Sequence, residues 1–456
     1  MSETFDAIII GAGQAGPPLA GRLTGTGLTV AVIERHLIGG TCVNTGCIPT
    51  KTLVASARTA HVARRAADFG VTTGPVGVDM AAVKARKDAV SGESRSGVAS
   101  WLDGMEGCTV IRGHARFVGP HEIEVDGRQL TAPRIFINVG GRALIPDMPG
   151  VKDVPILNNT GILGLDSVPE HLVVVGGSYI GLEFAQMYRR FGARVTVVEK
   201  GPRLIAREDE DVSAAVREIL EGEGIAVRVG AECIRFAPHA EGVAVGISCD
   251  EGAPEVVGSH VLLAVGRRPN TDDLGLEAAG IATDERGYIR VDDQLRTSAP
   301  GVWAMGDCNG RGAFTHTAYN DFEIVAATLL DAADRKVTDR IDTYALFIDP
   351  PLGRVGLGEA QAREKGHRVR IGKRPMSRVG RAREKGETAG FMKMVVDADT
   401  DAVLGAAILG VGGDEAIHAV LDLMHMGGTA ADMRRVMHIH PTVAELIPTV
   451  MGELGD

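Results

Sequence analysis

The chain has 456 residues, with 48 lysines and arginines against 59 aspartates and glutamates, for a formal net charge of −11. At about 150 residues per domain it holds about three domains; its 45% hydrophobic content excludes a disordered chain, and its acidity excludes a general nucleic-acid binder, which carries a basic face. Glycine is in excess, at 60 residues or about 13%, where about 7% is usual, and no Gly-X-Y period accompanies it, so a collagen-like chain is excluded.

The first residues, MSETFDAIII, carry Glu3 and Asp6 and no basic segment, so they do not read as a signal peptide. No apolar run approaches the ~20 residues of a membrane span. The chain is expected in the cytoplasm, with neither a membrane nor a nucleic acid as partner. Residues 5–10 form a short apolar run that ends in Gly11-Ala-Gly13-Gln-Ala-Gly16. A helix is expected from there to about Gly25, with Pro17 and Pro18 in its first turn, where a missing N–H is tolerated. A second apolar run, Leu28–Ile33, ends at Glu34. Strand, glycine turn, helix, strand and acid together read as a dinucleotide-binding unit. Gly11 makes the tight turn, Gly13 lets backbone approach a pyrophosphate, Gly16 allows close helix–strand packing, and Glu34 accepts from a ribose hydroxyl.

The pattern returns at Leu172–Val175, followed by Gly176-Gly177-Ser178-Tyr179-Ile180-Gly181, a helical stretch, Val195–Val198 and Glu199. Glycine and acid are 23 residues apart in both units, since 34 − 11 and 199 − 176 are equal. Ser178 stands where the second middle glycine is expected. Two such units bind two dinucleotides. A carboxylate at the end of the second strand repels a 2′-phosphate, so Glu199 favours NADH; Lys200 and Arg203 close by leave NADPH open.

Between the units lies Gly39-Gly40-Thr41-Cys42-Val43-Asn44-Thr45-Gly46-Cys47-Ile48-Pro49-Thr50-Lys51. Two cysteines five apart at a helix start can form a local disulfide, and a helix N-terminus stabilises a thiolate. The remaining cysteines, Cys108, Cys233, Cys249 and Cys308, are scattered. They read as structural or incidental, which suits a reducing compartment.

This segment, GGTCVNTGCIPTK, closely resembles the redox-disulfide motif of the class I FAD-dependent pyridine nucleotide–disulfide oxidoreductases. That family includes lipoamide dehydrogenases, glutathione reductases, mercuric reductases and reactive-chlorine resistance flavoproteins. The resemblance covers essentially the whole chain. Ile137-Asn-Val-Gly-Gly-Arg142 and Leu263-Ala-Val-Gly-Arg-Arg-Pro-Asn-Thr271 resemble the two linkers that flank the nucleotide domain, with Gly140 and Gly266 at strand ends facing cofactors. TSAPGVWAMGD, ending at Asp307, resembles the second FAD motif. His438-Ile-His440-Pro-Thr-Val-Ala-Glu445 resembles the family's HPTxxE segment.

The resemblance implies FAD on Gly11, Gly13, Gly16, Glu34, Gly40, Thr41 and Asp307, and NADH or NADPH on Gly176, Gly181 and Glu199. Cys47 would be the flavin-proximal thiolate and Cys42 the interchange thiol. Lys51 and Glu183 would pair beside the flavin. His440 would be the general acid/base, oriented by Glu445 and supplied by the second subunit of a homodimer. His438 and His440 lack a third ligand nearby, so no metal site is expected. His316 is left open between lining the flavin and a structural role.

Departures narrow the substrate. The tail MGELGD lacks the C-terminal cysteine pair of mercuric reductases and the extra redox pair of the large thioredoxin reductases. Gly21 stands where glutathione reductases carry a substrate-binding arginine, with Arg22 beside it. The favoured activity is reduction of a small disulfide or of a thiol-reactive oxidant or metal. Dihydrolipoamide dehydrogenase is the second reading, and a non-catalytic NADH-sensing flavoprotein the third. The fold class is α/β: two Rossmann-like dinucleotide-binding domains plus an α+β C-terminal dimerisation domain. The expected divisions are an FAD domain at 1–150, a nucleotide domain at 151–270, a return to the FAD domain at 271–340 and the dimerisation domain at 341–456. Strands are expected at Gly390–Asp397 and Ala402–Leu409. The basic stretch Lys373, Arg374, Arg378, Arg381, Arg383, Lys385 is expected to be a solvated loop.

Overall fold

The opening apolar run folds as the strand Ala7–Ile10, buried at all four residues, in the computed structural model, which describes residues 2–248 and 254–455. The chain divides into two compact units, Met1–Leu53 with Ala81–Leu144 and Gly266–Arg340, and Val54–Met80 with Ile145–Val265 and Ile341–Asp456.

In the first unit a parallel sheet runs, in spatial order, Val302–Ala304, Ile135–Ile137, Ala7–Ile10, Val30–Glu34 and Cys108–Arg112 among the described residues. Both faces of its inner strands are covered, which is why Ala7–Ile10 and Ile135–Ile137 are continuous apolar runs, whereas the edge strand Cys108–Arg112 keeps partly exposed polar residues. On one face Ile9, Val32 and Phe136 pack against Leu19 and Leu23 of the helix Gly16–Thr24 and Phe322 and Val325 of the helix Thr315–Leu330. On the other, Ile8, Ile10 and Ile33 join Phe117, Ile123 and Leu130. Each such side chain contributes about 1.5–3 kcal/mol on burial. The last three come from a small sheet over Ala115–Gly119, Glu122–Val125 and Arg128–Thr131, a segment for which the sequence offered no strand expectation.

The second unit holds a parallel sheet in the order Ala226–Arg228, Arg194–Val198, His171–Val175, His260–Leu263. The helix Tyr179–Phe191 follows the strand His171–Val175 in sequence, and the helix Glu210–Gly222 follows the strand Arg194–Val198. The C-terminal part is an antiparallel sheet in the order Thr343–Leu346, Leu352–Gly356, Val403–Leu409, Phe391–Asp397, Val369–Pro375. Met392, Met394, Val396 and Ile408 on that sheet pack against Val420, Ile447, Val450 and Met451 on short helices. The architecture is therefore α/β, two Rossmann-like folds and an α+β C-terminal part. No helix of the described residues is long and apolar enough to cross a membrane.

One expectation is corrected. The basic stretch is not a solvated loop: Lys373 and Arg374 lie on the strand Val369–Pro375, and Arg381 and Arg383 on the helix Gly380–Glu384. Carboxylates meet the charges, Asp211 at 2.7 Å from Lys373 and Glu453 against Arg374. Met376, Val379 and Ala382 anchor the segment in the core. Counting charges misses these alternating apolar anchors. Cys233 is disulfide-bonded, the structural of the two readings left open for it; Cys249 lies outside the described residues.

Candidate active site

The two glycine turns are built alike. Gly11 and Gly176 have φ of +106° and +118°, a region that L side chains rarely adopt. A Cβ on either would sit 2.2 Å from Asn138 O or 2.3 Å from Ala264 O. The Gly11 N–H donates to Ile33 O at 2.7 Å, and the Gly176 N–H to Val198 O at 2.8 Å. Gly16 opens the first helix, which carries proline in its first turn; Gly181 lies in the first turn of the second. Each acid closes its turn. Glu34 accepts from the N–H of Ala12 at 2.9 Å and of His36 at 2.8 Å. Glu199 accepts from the N–H of Gly177 and of Gly201, both at 2.6 Å. Both carboxylates are thus held at the turn, where a ribose hydroxyl would meet them.

The redox segment docks on the first turn. The Gly39 N–H donates to Ala12 O at 2.9 Å, and a Cβ at Gly40 would lie 2.7 Å from Gly13 Cα. Thr41 and Cys42 then sit in the short helix Gly40–Asn44, and Cys47 opens the helix Cys47–Arg64. Asn44 Nδ2 fastens the short helix, donating to Ile38 O at 2.9 Å and Gly40 O at 3.0 Å. No disulfide bridges Cys42 or Cys47, and a hydrogen bond joins the two. That bond, then burial, pushes the Cys42 thiol up, while Thr315 and Lys51 pull the other way. The helix-terminus argument for an easily ionised thiol therefore does not extend to Cys42; it is Cys47 that stands at a helix N-terminus. Thr315 Oγ1 is 3.1 Å from Cys47 Sγ. Sequence reading missed this residue; its only signal was its place at the helix start after the Asp307 motif.

Asp307 lies in the turn Gly306–Asn309, half-buried, 3.4 Å from Arg267. Burial pushes its carboxyl up against the pull of Arg267. Asp321, also missed, shapes this turn from below. It is 2% exposed, accepts from the Gly306 N–H at 2.7 Å and from Asn309 Nδ2 at 2.8 Å, and is ion-paired with Arg340. Gly140 and Gly266 flank a two-stranded crossover, Gly141–Ala143 against Arg267–Pro269.

Other candidates are more scattered. Lys51 and Glu183 belong to different units; Glu183 is buried and accepts from the Phe347 N–H at 3.0 Å. His440 is exposed, with Nδ1 2.8 Å from Glu445 Oε2. His438 turns its Nδ1 to Ala444 O at 2.7 Å. Among the described residues no three His, Cys, Asp or Glu gather as metal ligands. His316 stacks on Phe314 with centroids 5.4 Å apart. Cys308 is buried, its thiol pushed up to about 12 by that burial, and Cys108 likewise to about 11. Beside the second turn, Tyr179 donates to buried Glu208 at 3.0 Å and packs edge-on against Tyr344.

Residues 5–321 match the family described as pyridine nucleotide-disulphide oxidoreductase, and residues 343–451 match its dimerisation domain. The chain belongs to this family of enzymes. It is 37% identical over 447 residues to a dihydrolipoyl dehydrogenase of Thermus scotoductus, covering 97% of this chain and 96% of the relative. It is also 37% identical over 449 residues, 97% of each chain, to the probable pyridine nucleotide-disulfide oxidoreductase RclA of Escherichia coli. A solved Cu(II) complex of the HOCl-induced flavoprotein disulfide reductase RclA from Escherichia coli superposes with a TM-score of 0.91 at 35% identity, covering 99% of both chains. As a member of the family the chain uses FAD and a pyridine nucleotide. The first unit fits a dinucleotide: its turn leaves no room for a side chain at Gly11, and the buried Asn138 Nδ2 beside it has no partner among the described residues.

Proposed function

We propose that the protein passes two electrons from NAD(P)H to the Cys42–Cys47 pair and from there to a small disulfide or a thiol-reactive oxidant, an oxidised metal ion included. The hydrogen-bonded pair of cysteines, docked on a dinucleotide turn, carries this reading. Gly11, Gly13, Gly16, Glu34, Gly40, Thr41, Gly140 and Asp307 hold FAD, which supplies the relay between nicotinamide and sulfur. Gly176, Gly181, Glu199 and Gly266 hold the nicotinamide nucleotide, with NADH favoured because the Glu199 carboxylate disfavours a 2′-phosphate.

With a disulfide substrate, the Cys42 thiol yields its proton to His440 as its sulfur attacks one substrate sulfur, and a mixed disulfide forms as the first thiolate leaves. The Cys47 thiolate then attacks Cys42, re-forming the Cys42–Cys47 bond and releasing the second. His440, supplied by the second subunit of a homodimer and oriented by Glu445, protonates the leaving thiolates. The sum is NAD(P)H, a proton and a disulfide giving NAD(P)⁺ and two thiols. Lys51 places a cation near the Cys42 sulfur.

The likeness to a Cu(II) complex of an HOCl-induced reductase supports an oxidant or metal ion as acceptor. The equal identity to a dihydrolipoyl dehydrogenase keeps a second reading, oxidation of dihydrolipoamide, in which the steps run in reverse. One equivalent of NADH should raise a long-wavelength absorbance from a thiolate against the flavin, and Cys47→Ser should abolish it. A band of equal strength in that variant would falsify the assignment. Rates with Cu(II), quinones, glutathione disulfide and dihydrolipoamide then separate the acceptors; fast NAD⁺ reduction by dihydrolipoamide selects the second reading.

A further inference from the structure

One hydroxyl stands against both sulfurs of the cysteine pair. Thr315 Oγ1 lies 3.1 Å from Cys47 Sγ, and the same side chain also bonds Cys42, where it pulls the thiol down. All three residues belong to the first unit. Thr315 is the first residue of the helix Thr315–Leu330, so the helix backbone fixes where the hydroxyl sits.

The charge that this hydroxyl meets follows from stoichiometry. NADH delivers a hydride, which is two electrons with one proton. Breaking a Cys42–Cys47 disulfide with that hydride leaves one thiol and one thiolate. A thiolate carries no hydrogen and can only accept, so when the charge is on Cys47 it is Thr315 that donates across the 3.1 Å contact. The two sulfurs compete unequally for the charge. Cys47 opens the 18-residue helix Cys47–Arg64, whose N-terminus favours a thiolate. Cys42 lies inside a helix of only five residues, and the bond to Cys47, then burial, push its thiol up. In the waiting enzyme the Cys42 S–H and the Thr315 O–H therefore converge on the Cys47 sulfur. Attack on a substrate needs the opposite, with charge developing on Cys42. A hydroxyl has one hydrogen on a free rotor, and both sulfurs are within its reach.

We propose that Thr315 is a catalytic residue whose hydroxyl donates to whichever sulfur of the pair carries the negative charge, to Cys47 in the reduced enzyme and to Cys42 as that sulfur attacks, an inference that rests on the two cysteines being the electron relay. The charge thus moves between the sulfurs with a donor already in place, and the Cys42 proton still leaves to His440. Lys51 on the cysteine helix and His440 of the second subunit also bear on the pair, and every variant below keeps both.

The test uses holoenzymes of the native chain, Thr315→Val, Thr315→Ser and Thr315→Ala. Each is reduced with one equivalent of NADH, and the long-wavelength thiolate band is followed against pH. Alkylation of Cys42 by iodoacetamide, located by peptide mass, is timed at a single pH. Thr315→Val keeps the shape and loses the donor. Its band midpoint, a property of the coupled pair, should rise by about one to two pH units, and alkylation of Cys42 should slow about tenfold. Thr315→Ser keeps the donor and should restore both. A packing role predicts the reverse, with Thr315→Val native-like and Thr315→Ser disturbed. An unmoved midpoint in Thr315→Val, alkylation that does not slow, or a Thr315→Ser no closer to native than Thr315→Val overturns the proposal. Should Thr315→Val not fold, equal midpoints in Thr315→Ala and Thr315→Ser, which both lack the methyl, overturn it as well. A native chain that shows no band ends the reading of the relay itself, whatever the variants do.

Discussion

The first and second glycine turns bond the same backbone positions within about 0.3 Å of each other, yet the segments that dock on them have nothing in common. Gly39 donates to Ala12 O in the first, and Ile205 to Gly177 O in the second. Past Gly39 the chain enters the cysteine helix; past Ile205 it reaches Glu208, which holds Tyr179 and Tyr344. One backbone arrangement is used twice, and the residues that follow it differ. The side chain at the end of the neighbouring strand, Asn138 against Ala264, differs in the same way.

This comparison can be broken by experiment. The largest effect belongs to the cysteines: Cys42→Ser should cut turnover with a disulfide or oxidant by about ten-thousandfold while the chain still binds both nucleotides, as read by steady-state rates and NADH fluorescence quenching. Nucleotide loss alongside activity would show that the redox segment also builds the turn. Next come the glycines. Gly11→Ala and Gly176→Ala each force a side chain into a left-handed backbone, at about 1–3 kcal/mol for the strain alone, and into a carbonyl oxygen. We expect the first to release flavin and the second to spare flavin but raise the NADH KM. Identical phenotypes would mean that the units are not separable.

Smaller is Glu199→Ala, which removes two charge-assisted bonds to the second turn. NADH KM should rise about tenfold and the ratio of NADH to NADPH efficiency should fall toward one; an unchanged ratio removes Glu199 from nucleotide choice. The smallest effect concerns acid. In the nucleotide unit alone, buried His171 donates through Nδ1 to Val257 O at 2.7 Å and accepts through Nε2 from Thr196 at 2.9 Å. Burial, with Arg194, holds its pKa below the ordinary value, against weaker opposing pulls from the bond to Val257 O and from Glu170. The folded chain then binds fewer protons than the unfolded one just below pH ~6.5, so stability is full above that pH and declines as pH falls. Hydrogen exchange on the strand His171–Val175 should quicken below pH ~6 and His171→Gln should flatten the trend; quickening unaltered by the substitution excludes His171.

Much of the site was legible because its parts are local. Gly11, Glu34 and their counterparts lie within one strand–turn–helix–strand stretch, and the two cysteines within one loop, so spacing alone carries the geometry. Thr315 was not legible, since it acts on Cys47, 268 residues away in sequence; Asp321 lies only 15 residues from Gly306, but a lone acid within a helix gives no sign that its carboxylate is buried against a turn. Lys373 and Arg374 misled because a run of charge looks solvated until the strand pairing and the opposing carboxylates are known. The burial of Asn138 Nδ2 without a partner among the described residues was not legible either, because it is a property of the surroundings and not of the residue type.

The sequence by itself determined the family, the two dinucleotide turns, the acid that closes each and the cysteine pair, because these depend on backbone conformation and on neighbours within about two dozen residues. Only the tertiary structure decided which thiol is pushed up, which carboxylate lies buried under the Asp307 turn and which amide is left without a partner. Those properties come from desolvation and from side-chain contacts closed by the packing, some between near neighbours and some across hundreds of residues, and no local spacing encodes them.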